Sequence, residues 1–427
     1  MQYPIYSFLT FLALPFAFLR LLVRSINLPA YRHRWPERVA WQLPVVQRPV
    51  IWVHAVSVGE VQAAVPLVRQ LQKMYDQYDV YITTTTPTGS QRVQDIFGDG
   101  VWHSYLPYDL PVVVRRFLSS INPVLGIVME TELWPNLFAE CRDRCLPVIV
   151  ANARLSERSA RRYEKFSATT RKILSCISQV AAQDELSAAR FRQLGMPADR
   201  VQVSGNLKYE QTVPADLQEK SEVLRLSIGQ DRPVWIAAST HQGEERTVLE
   251  AHAALRQQHP QLLLILVPRH PDRFTQVADL VRDKGYKLAR RSVNEIPAAD
   301  ISVYLGDTLG DLLLLFAAAD VAFMGGSLAE VGGHNPLEAA AIGRPVITAA
   351  HIHNFESVYQ GLIEAGAARK VQGVKELVNA VDDWLSDAVS RNEAGECGRV
   401  FVAANRGALD KLMLLVCKEL DSRNQPS

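Results

Sequence analysis

The sequence predicts an α/β protein with two doubly wound parallel-sheet domains and an apolar N-terminal helix. Short apolar runs alternate with stretches of helical period along most of the 427 residues, a pattern typical of parallel sheets covered by helices. The polar stretch "TVPADLQEKSE" (212–222) interrupts this alternation near the middle of a chain that is long for a single core. The predicted parts are an anchor at 1–24, a first α/β domain at 25–215 and a second at 216–427.

The N-terminal segment Ile5–Leu19, "IYSFLTFLALPFAFL", carries no charge, and arginines follow it at positions 20, 24, 32, 34 and 38. A secretory signal would have its positive charge before the apolar stretch and a small-residue cleavage site after it. A full membrane span needs about 20 apolar residues, which this segment reaches only if Arg20 snorkels. The pattern predicts a membrane anchor or interfacial helix with the rest of the protein on the cytoplasmic side. A buried core helix is the alternative, and the sequence leaves open whether the helix spans or lies flat.

Overall composition is that of an ordinary globular protein and gives no sign of a nucleic-acid partner or of a cysteine metal site. A formal net charge of +1 gives no reason to expect a nucleic-acid partner. The five cysteines show no repeated spacing of a metal site, so reduced thiols are expected.

The strands of each domain are predicted from their apolar runs. In the first domain they are Val50–Val56, Val80–Thr86, Val124–Met129, Pro147–Ala153, Gln179–Gln183 and Val201–Gly205. In the second they are Pro233–Thr240, Leu262–Pro268, Asp300–Gly306, Asp320–Gly326 and Arg344–Ala350, followed by helices from Val374 onward. Ligands of such sheets bind beyond the carboxyl ends of the strands, so we expect the two domains to face each other across a cleft.

Four charged side chains follow strands of the first domain. Glu60 lies in "HAVSVGEVQAA", in the first turn of a predicted helix, where a carboxylate that only interacts with the helix dipole is the alternative. Glu130 and Glu132 follow the third strand, and such a pair can raise the pKa of one member for acid–base work, although ion-paired carboxylates are the alternative. Lys208 in "GNLKYE" would meet an anion.

The second domain offers groups suited to a nucleotide. Arg269 ends a strand, and a guanidinium fits phosphate geometry. Asn335 and Pro336 predict a helix start with Asn as N-cap and Pro at the first helical position, which exposes N–H groups to an anion. Asp311, beside Gly310, and Glu338 are carboxylates able to accept from ribose hydroxyls. An ordinary strand-to-helix turn is the alternative for the 325–340 segment.

Other nucleotide-binding patterns are missing from the sequence. It has no Walker A motif, no complete dinucleotide fingerprint and no Asp-x-Asp pair of the metal-dependent nucleotide-sugar transferases. The prediction is therefore a metal-free site in which Arg269, Lys208 and helix N-termini neutralise the leaving phosphate.

Nine ordered motifs carry a resemblance that covers essentially the whole chain. They are "YRHRWPER", "HAVSVGE", "TTTTPTGSQRV", "YLPYDLP", "METELWPNL", "ANARLSERS", "GNLKY", "LVPRHPDRF" and "GGSLAEVGGHNPLEAA". Together they closely resemble the 3-deoxy-D-manno-octulosonic acid (Kdo) transferases of lipid A assembly. The resemblance implies a GT-B fold and inverting transfer of Kdo from CMP-Kdo to the lipid A precursor, a tetraacyldisaccharide bisphosphate, with release of CMP. It implies no metal and no cofactor, and a location at the cytoplasmic face of the inner membrane.

The family's roles are carried over to matching positions. Glu60 corresponds to the general base, and Glu130 and Lys208 to residues that stabilise the transition state. The CMP contacts fall on Pro268, Arg269, Leu309, Gly310, Asp311, Asn335, Pro336, Leu337 and Glu338. The first domain would then bind the acceptor and the second the CMP-sugar.

This sequence departs from the family pattern at two positions. Asp311 stands in place of Glu, which shortens a ribose contact, and Pro36 stands in place of Gly. The basic stretch Arg158–Lys172 could meet acceptor phosphates or anionic headgroups, with a solvated basic face as the alternative.

Two other functions compete with this interpretation. One is a soluble GT-B enzyme for a different nucleotide sugar, such as a heptosyltransferase or a sugar epimerase, against which the anchor and the motif set argue. The other is a membrane-bound nucleotide-binding protein without catalysis, which leaves Glu60 and Lys208 unexplained.

Overall fold

A computed structural model describes residues 3–211 and 213–424, which form two compact α/β units. Unit 1 contains the described residues up to Glu210 and from Arg406 onward, and unit 2 contains Gln211–Asn405. Both units are built on a seven-stranded sheet whose paired strands run parallel. The predicted α/β class with two doubly wound units is confirmed.

The sheet of unit 1 has the strand order β3-β2-β1-β4-β5-β6-β7. Its strands are β1 Val50–His54, β2 Asp79–Thr84, β3 Trp102–Tyr105, β4 Pro123–Met129, β5 Val148–Ala153, β6 Gln179–Ala182 and β7 Val201–Val203. Its first eight helices are α1 Pro4–Asn27, α2 Val58–Met74, α3 Pro87–Phe97, α4 Pro111–Ile121, α5 Pro135–Asp143, α6 Glu157–Glu164, α7 Ser167–Leu174 and α8 Glu185–Gln193. Strands β1 and β5 are buried throughout because helices cover both faces of the sheet.

The sheet of unit 2 has the order β10-β11-β9-β8-β12-β13-β14. Its strands are β8 Val234–Thr240, β9 Leu263–Pro268, β10 Leu288–Arg290, β11 Val303–Leu305, β12 Val321–Met324, β13 Val346–Thr348 and β14 Ala368–Lys370. Its helices are α9 Leu217–Ile228, α10 Glu244–Gln258, α11 Phe274–Asp283, α12 Leu312–Ala318, α13 Leu337–Ala341, α14 Glu356–Glu364, α15 Val374–Ser386 and α16 Ala388–Ala404.

The three strands absent from the sequence prediction, β3, β10 and β14, all lie at sheet edges. Each has only three or four residues and includes polar or charged side chains. Edge strands lack the continuous apolar run of a central strand because one side is not covered, so their sequence signal is weak.

The last helix, α17 Ala408–Asn424, belongs to unit 1 and not to the second domain that was predicted to extend to 427. Leu412 and Val416 are buried in the same apolar cluster as Val53 of β1 and Ile127 of β4. The Glu210 carboxylate also accepts hydrogen bonds from the N–H groups of Gly407 and Leu409, at 2.8 and 3.1 Å. Helical periodicity predicts an apolar face but does not say which core that face joins.

The N-terminal helix α1 packs along unit 1 by one face. Near its start, Ser7 Oγ donates to the buried Asn136 Oδ1 at 3.0 Å, and further along the Phe18 ring lies 5.2 Å from the ring of Trp35. Its other face exposes large apolar side chains, among them Phe8, Phe11 and Phe16. By length and composition this is the one helix among the described residues that could cross a membrane.

Candidate active site

The centre of each sheet contains the point at which the strand order reverses. In unit 1 this point lies between β1 and β4, and in unit 2 between β8 and β12. Such reversal points, at the carboxyl ends of the strands, are where open α/β sheets bind ligands. The residues that follow β1, β4, β8, β9 and β12 are therefore the candidates for a site.

Glu60 lies in the first turn of α2, directly after β1, and is 8% exposed. Its carboxylate accepts from the backbone N–H of Val56 at 2.8 Å and from Ser57 Oγ at 3.0 Å. Burial, together with the charges of Glu130 and Glu132 and against these two hydrogen bonds, raises the pKa of Glu60 to about 7. The side chain thus interacts with its helix start, as the simpler interpretation predicted, and it is also a carboxylate that titrates near neutral pH.

Glu130 follows β4 with a φ of 57°, a left-handed conformation that is uncommon for a non-glycine residue. Strand β4 ends at Met129, so Glu130 and Glu132 lie in the loop that follows it. Burial, followed by the charge of Glu130, raises the pKa of Glu132, as the sequence predicted for one member of the pair. Unit 1 therefore gathers three carboxylates at its reversal point.

Lys208 lies in a short 3₁₀ turn, Leu207–Tyr209, which packs against α2. The backbone N–H of Lys208 donates to Asn206 Oδ1 at 3.0 Å, so the start of the turn is capped. The structure thus places Glu60 and the turn of Lys208 on neighbouring elements of unit 1.

In unit 2, Pro268 is the last residue of β9, and Arg269 follows it with an exposed side chain. Among residues 3–211 and 213–424, no hydrogen bond or ion pair of the Arg269 guanidinium is found. Burial, and after it the charge of Arg269, lowers the pKa of the nearby His334 to about 3. An anion that reaches the carboxyl ends of the unit 2 strands would therefore meet an unpaired cation.

The helix start predicted at Asn335 and Pro336 is present, but it is shifted by one residue. Helix α13 begins at Leu337, one residue later than predicted, with Pro336 at the cap position. Asn335 Oδ1 nevertheless accepts the N–H of Leu337 at 3.0 Å, so the predicted capping interaction exists in a shifted register. Glu338 lies in the first turn of this helix.

The Leu309–Asp311 loop follows β11, the strand next to β9. Leu309 is 78% exposed, and Gly310 has a φ of 90°, a backbone angle that suits glycine. Asp311 Oδ2 accepts from Arg291 Nε at 3.0 Å and from Thr308 Oγ1 at 2.8 Å. The carboxylate predicted to accept from ribose is therefore already engaged within unit 2.

Glu244, which sequence reasoning did not single out, organises the glycine-rich segment after β12. It is 2% exposed, and its carboxylate accepts four backbone N–H groups, those of His241, Gly326, Leu328 and Ala329, at 2.7–3.1 Å. The N–H groups of Gly326, Leu328 and Ala329 thus serve an internal carboxylate and not a ligand. The sequence signal was the acidic pair at the start of α10, which is common at helix N-termini.

Three histidines also lie close together at the carboxyl ends of the unit 2 strands. The Nε2 atoms of His241 and His334 lie 2.8 Å apart with their rings stacked, and the His270 ring lies 5.2 Å from that of His241. Each follows a strand or the glycine-rich segment, so only the folded sheet brings them together. Two hydrogen-bonded imidazoles beside an unpaired arginine make a polar surface suited to an anionic ligand.

The chain is similar to known protein families over most of its length. Residues 33–211 match the family described as 3-deoxy-D-manno-octulosonic-acid transferase (kdotransferase), and residues 231–401 match glycosyl transferases group 1. A 3-deoxy-D-manno-octulosonic acid transferase of Haemophilus influenzae is 46% identical over 397 residues, which cover 92% of each chain. One of Bordetella pertussis is 37% identical over 367 residues, which cover 84% of each chain.

Solved structures show the same fold. UDP-GlcNAc 2-epimerase from Neisseria meningitidis, bound to UDP-GlcNAc, is 14% identical with a TM-score of 0.56, and the match covers 86% of this chain and 99% of that one. At this identity the similarity shows the fold alone.

The two seven-stranded parallel sheets, together with the match to glycosyl transferases group 1, identify a glycosyltransferase of the GT-B type. The relatives then specify which sugar is transferred. The chain belongs to the 3-deoxy-D-manno-octulosonic acid transferase family, and it is an enzyme that transfers Kdo in lipopolysaccharide biosynthesis.

Proposed function

We propose that the enzyme transfers Kdo from CMP-Kdo to a lipid A precursor, a tetraacyldisaccharide bisphosphate, by an inverting and metal-independent displacement that releases CMP. The observation that carries the proposal is the buried Glu60 carboxylate, whose pKa of about 7 suits a general base at neutral pH. The proposal assigns proton removal to unit 1 and nucleotide binding to unit 2.

Proton removal is the task of Glu60. The acceptor is a sugar hydroxyl, which becomes a good nucleophile only as its proton is taken up during attack. Burial disfavours the charged carboxylate, and the neighbouring carboxylates of Glu130 and Glu132 disfavour it further, so Glu60 is more basic than an exposed glutamate. A single displacement, in which this hydroxyl attacks opposite the departing phosphate, inverts the anomeric carbon.

Glu130 and Lys208 are proposed to stabilise the transition state. Charge develops on the sugar and on the leaving phosphate as the glycosidic bond breaks, and preorganised charges at those places lower the barrier. The strained backbone of Glu130 supports this role, because such conformations cluster at functional sites. Among the catalytic groups proposed for unit 1, Lys208, on its capped turn, is the positively charged one.

The nucleotide is proposed to bind unit 2 through Pro268 and Arg269, Leu309 to Asp311, and Asn335 to Glu338. The exposed Arg269 guanidinium can pair with the phosphate of CMP. Asp311, held by Arg291 and Thr308, is proposed to line the site and to leave the ribose contact to Glu338.

Membrane attachment is proposed to occur through α1 lying in the plane of the bilayer interface. The helix contacts unit 1 at Ser7 and again at Phe18, positions about 16 Å apart at a rise of about 1.5 Å per residue. A helix held along its side by a water-soluble unit cannot cross the hydrocarbon core, whereas its exposed apolar face can enter one leaflet. The inner membrane and its cytoplasmic face are proposed because the acceptor and the arginines after α1 fit that side.

The predicted basic stretch Arg158–Lys172 forms α6 and α7 with an exposed phenylalanine, Phe166, between them. Arg161 pairs with Glu157 at 2.5 Å, so this cation of the stretch is exposed but already has an acidic partner. Lys172 Nζ lies 5.2 Å from the ring of Tyr3, which places α7 beside the start of α1. The other exposed cations of the stretch are proposed to meet acceptor phosphates or headgroups at the membrane.

The test is an assay of the purified protein with CMP-Kdo and the tetraacylated precursor in detergent. We expect transfer of Kdo and release of CMP, unchanged by a chelator. UDP-sugars serve as competing donors. Turnover of a UDP-sugar, and none of CMP-Kdo, would overturn the proposed donor, and loss of transfer with the chelator would overturn metal independence.

A further inference from the structure

Asn152 is a buried residue in an unusual backbone conformation at the end of β5. It is fully buried, has a φ of 53°, and lies where the β5–β6 register shifts between Val150 and Ala153. An interrupted register redirects the side chains at that point, and left-handed non-glycine residues persist only where their surroundings enforce them. We therefore expect the Asn152 side chain to make a contact that keeps the backbone in this conformation.

The Asn152 side-chain amide is hydrogen-bonded to the backbone of the turn that contains Lys208. Its Oδ1 accepts the N–H of Leu207 at 2.9 Å, which determines the orientation of the amide. Its Nδ2 then has no hydrogen-bond partner among the described residues 3–211 and 213–424. A buried donor without a partner is unfavourable, so the Oδ1 contact is kept at a cost in stability.

Two further side-chain amides complete a chain of contacts, here named the amide bridge: Asn152, Gln183 and Asn206. Gln183 Nε2 donates to the backbone carbonyl of Asn152 at 2.9 Å, and Asn206 Nδ2 donates to Gln183 Oε1 at 3.3 Å. Asn206 Oδ1 in turn accepts the N–H of Lys208 at 3.0 Å. The amide bridge thus connects the carboxyl ends of β5 and β6 to the N–H groups of both Leu207 and Lys208.

We propose that the amide bridge positions Lys208 for the transfer reaction, which makes Asn152 and Asn206 positioning residues. The proposal rests on the role given above to Lys208. A lysine side chain is long and flexible, so the placement of its ammonium group depends on how firmly its backbone is held. A displacement of about 1 Å at a reacting centre can lower the rate by about 100-fold.

The first test is Asn152→Gly. Glycine adopts a positive φ without strain, so this change removes the amide and leaves the backbone conformation accessible. We expect kcat to fall by about 10- to 100-fold with the KM for CMP-Kdo and the affinity for CMP nearly unchanged, since CMP is assigned to unit 2. The control is Asn122→Gly, another asparagine with a left-handed φ, 43°, exposed at the end of α4, which should retain wild-type activity.

The second test uses Asn206, whose backbone is not strained. Asn206→Ala removes the acceptor for the Lys208 N–H and should lower kcat as Asn152→Gly does. Asn206→Asp keeps the acceptor for the Lys208 N–H but loses the Nδ2 that donates to Gln183 Oε1, so it should recover part of the activity lost in Asn206→Ala. Equal loss in both variants would show that the bond to the Lys208 N–H is not what matters.

A double-mutant cycle separates this proposal from the role of Lys208. If the amide bridge acts through Lys208, Asn152→Gly should change the residual rate of Lys208→Ala by less than about twofold, because the two effects are not additive. Full activity of Lys208→Ala would overturn both proposals. A strongly impaired Lys208→Ala beside a fully active Asn152→Gly, or additive losses in the double variant, would overturn the amide bridge alone.

Discussion

Replacing Glu60 by glutamine should nearly abolish transfer and also stabilise the folded protein at pH 8. The change preserves size, and both local contacts can survive. The oxygen of the new side-chain amide can accept the N–H of Val56, and its nitrogen can donate to Ser57 Oγ, because a hydroxyl can reverse its role. The variant therefore removes the charge and the basicity of Glu60 with little change in packing.

The stability effect follows from the pKa of Glu60, which burial raises from 4.5 to about 7. The folded protein holds this proton more tightly than the unfolded chain does, so stability decreases as pH rises from about 4.5 and levels off above about 7. At 1.36 kcal/mol per pKa unit the cost of the buried charge is about 3 kcal/mol at pH 8. Glutamine carries no such cost, so the variant should melt several degrees higher at pH 8 and equally at pH 4.5.

The activity effect follows from the same carboxylate. A base with a pKa of about 7 predicts that wild-type kcat/KM rises between pH 6 and 8 and then levels off. Glu60→Gln should lower kcat/KM by about 10²–10⁴-fold and remove this rise. Kdo transfer to the tetraacylated precursor, followed from pH 5.5 to 8.5, gives the profile, and thermal unfolding at pH 4.5 and 8 gives the stabilities.

The control is Glu185→Gln, because Glu185 also lies in the first turn of a unit 1 helix but is exposed. It should change neither the rate nor the pH dependence of stability. A Glu60→Gln protein that transfers Kdo at nearly the wild-type rate would refute the general-base role and direct attention to Glu130. A variant less stable than wild type at pH 8 would show that the carboxylate serves mainly to cap α2.

Three further predictions concern unit 2 and the N-terminal helix. Arg269→Ala should weaken CMP binding by about 10- to 100-fold in calorimetry, because a charge-assisted hydrogen bond contributes about 1.5–3 kcal/mol; unchanged affinity would place the phosphate elsewhere. Glu244→Ala should lower the unfolding free energy by at least about 3 kcal/mol in a denaturant titration, since four backbone N–H groups lose their acceptor, and a loss below about 1 kcal/mol would contradict this. Ser7→Val leaves the buried Asn136 amide without its donor, so limited proteolysis of α1 should become faster in detergent while the protein still sediments with membranes.

The central strands and the residues beyond them could be predicted from the sequence. Strands buried on both faces need continuous apolar runs, and parallel strands place their carboxyl ends at one edge of the sheet. Glu60, Glu130, Lys208 and Arg269 were therefore recognisable as candidates, and the N-terminal segment was recognisable as a helix long and apolar enough to cross a membrane. These features depend on a few neighbouring residues and their spacing.

The edge strands and the placement of α17 were decided by tertiary structure. An edge strand pairs on one side only, so it needs no apolar run. The core against which an amphipathic helix packs depends on how the rest of the chain folds. Val416 of α17 could have joined either core by its hydrophobicity, and it is buried beside the sheet of unit 1.

The chemistry of the site was likewise decided by contacts between residues far apart in sequence. The pKa of Glu60 rises to about 7 only through burial and through the charges of the carboxylates that follow β4. Glu244 reached the N–H groups of a segment more than 80 residues away, and Asn152 reached the turn of Lys208 across 55 residues. Local sequence determines which groups are available, but a pKa and a hydrogen-bond partner depend on the distances that the folded chain creates.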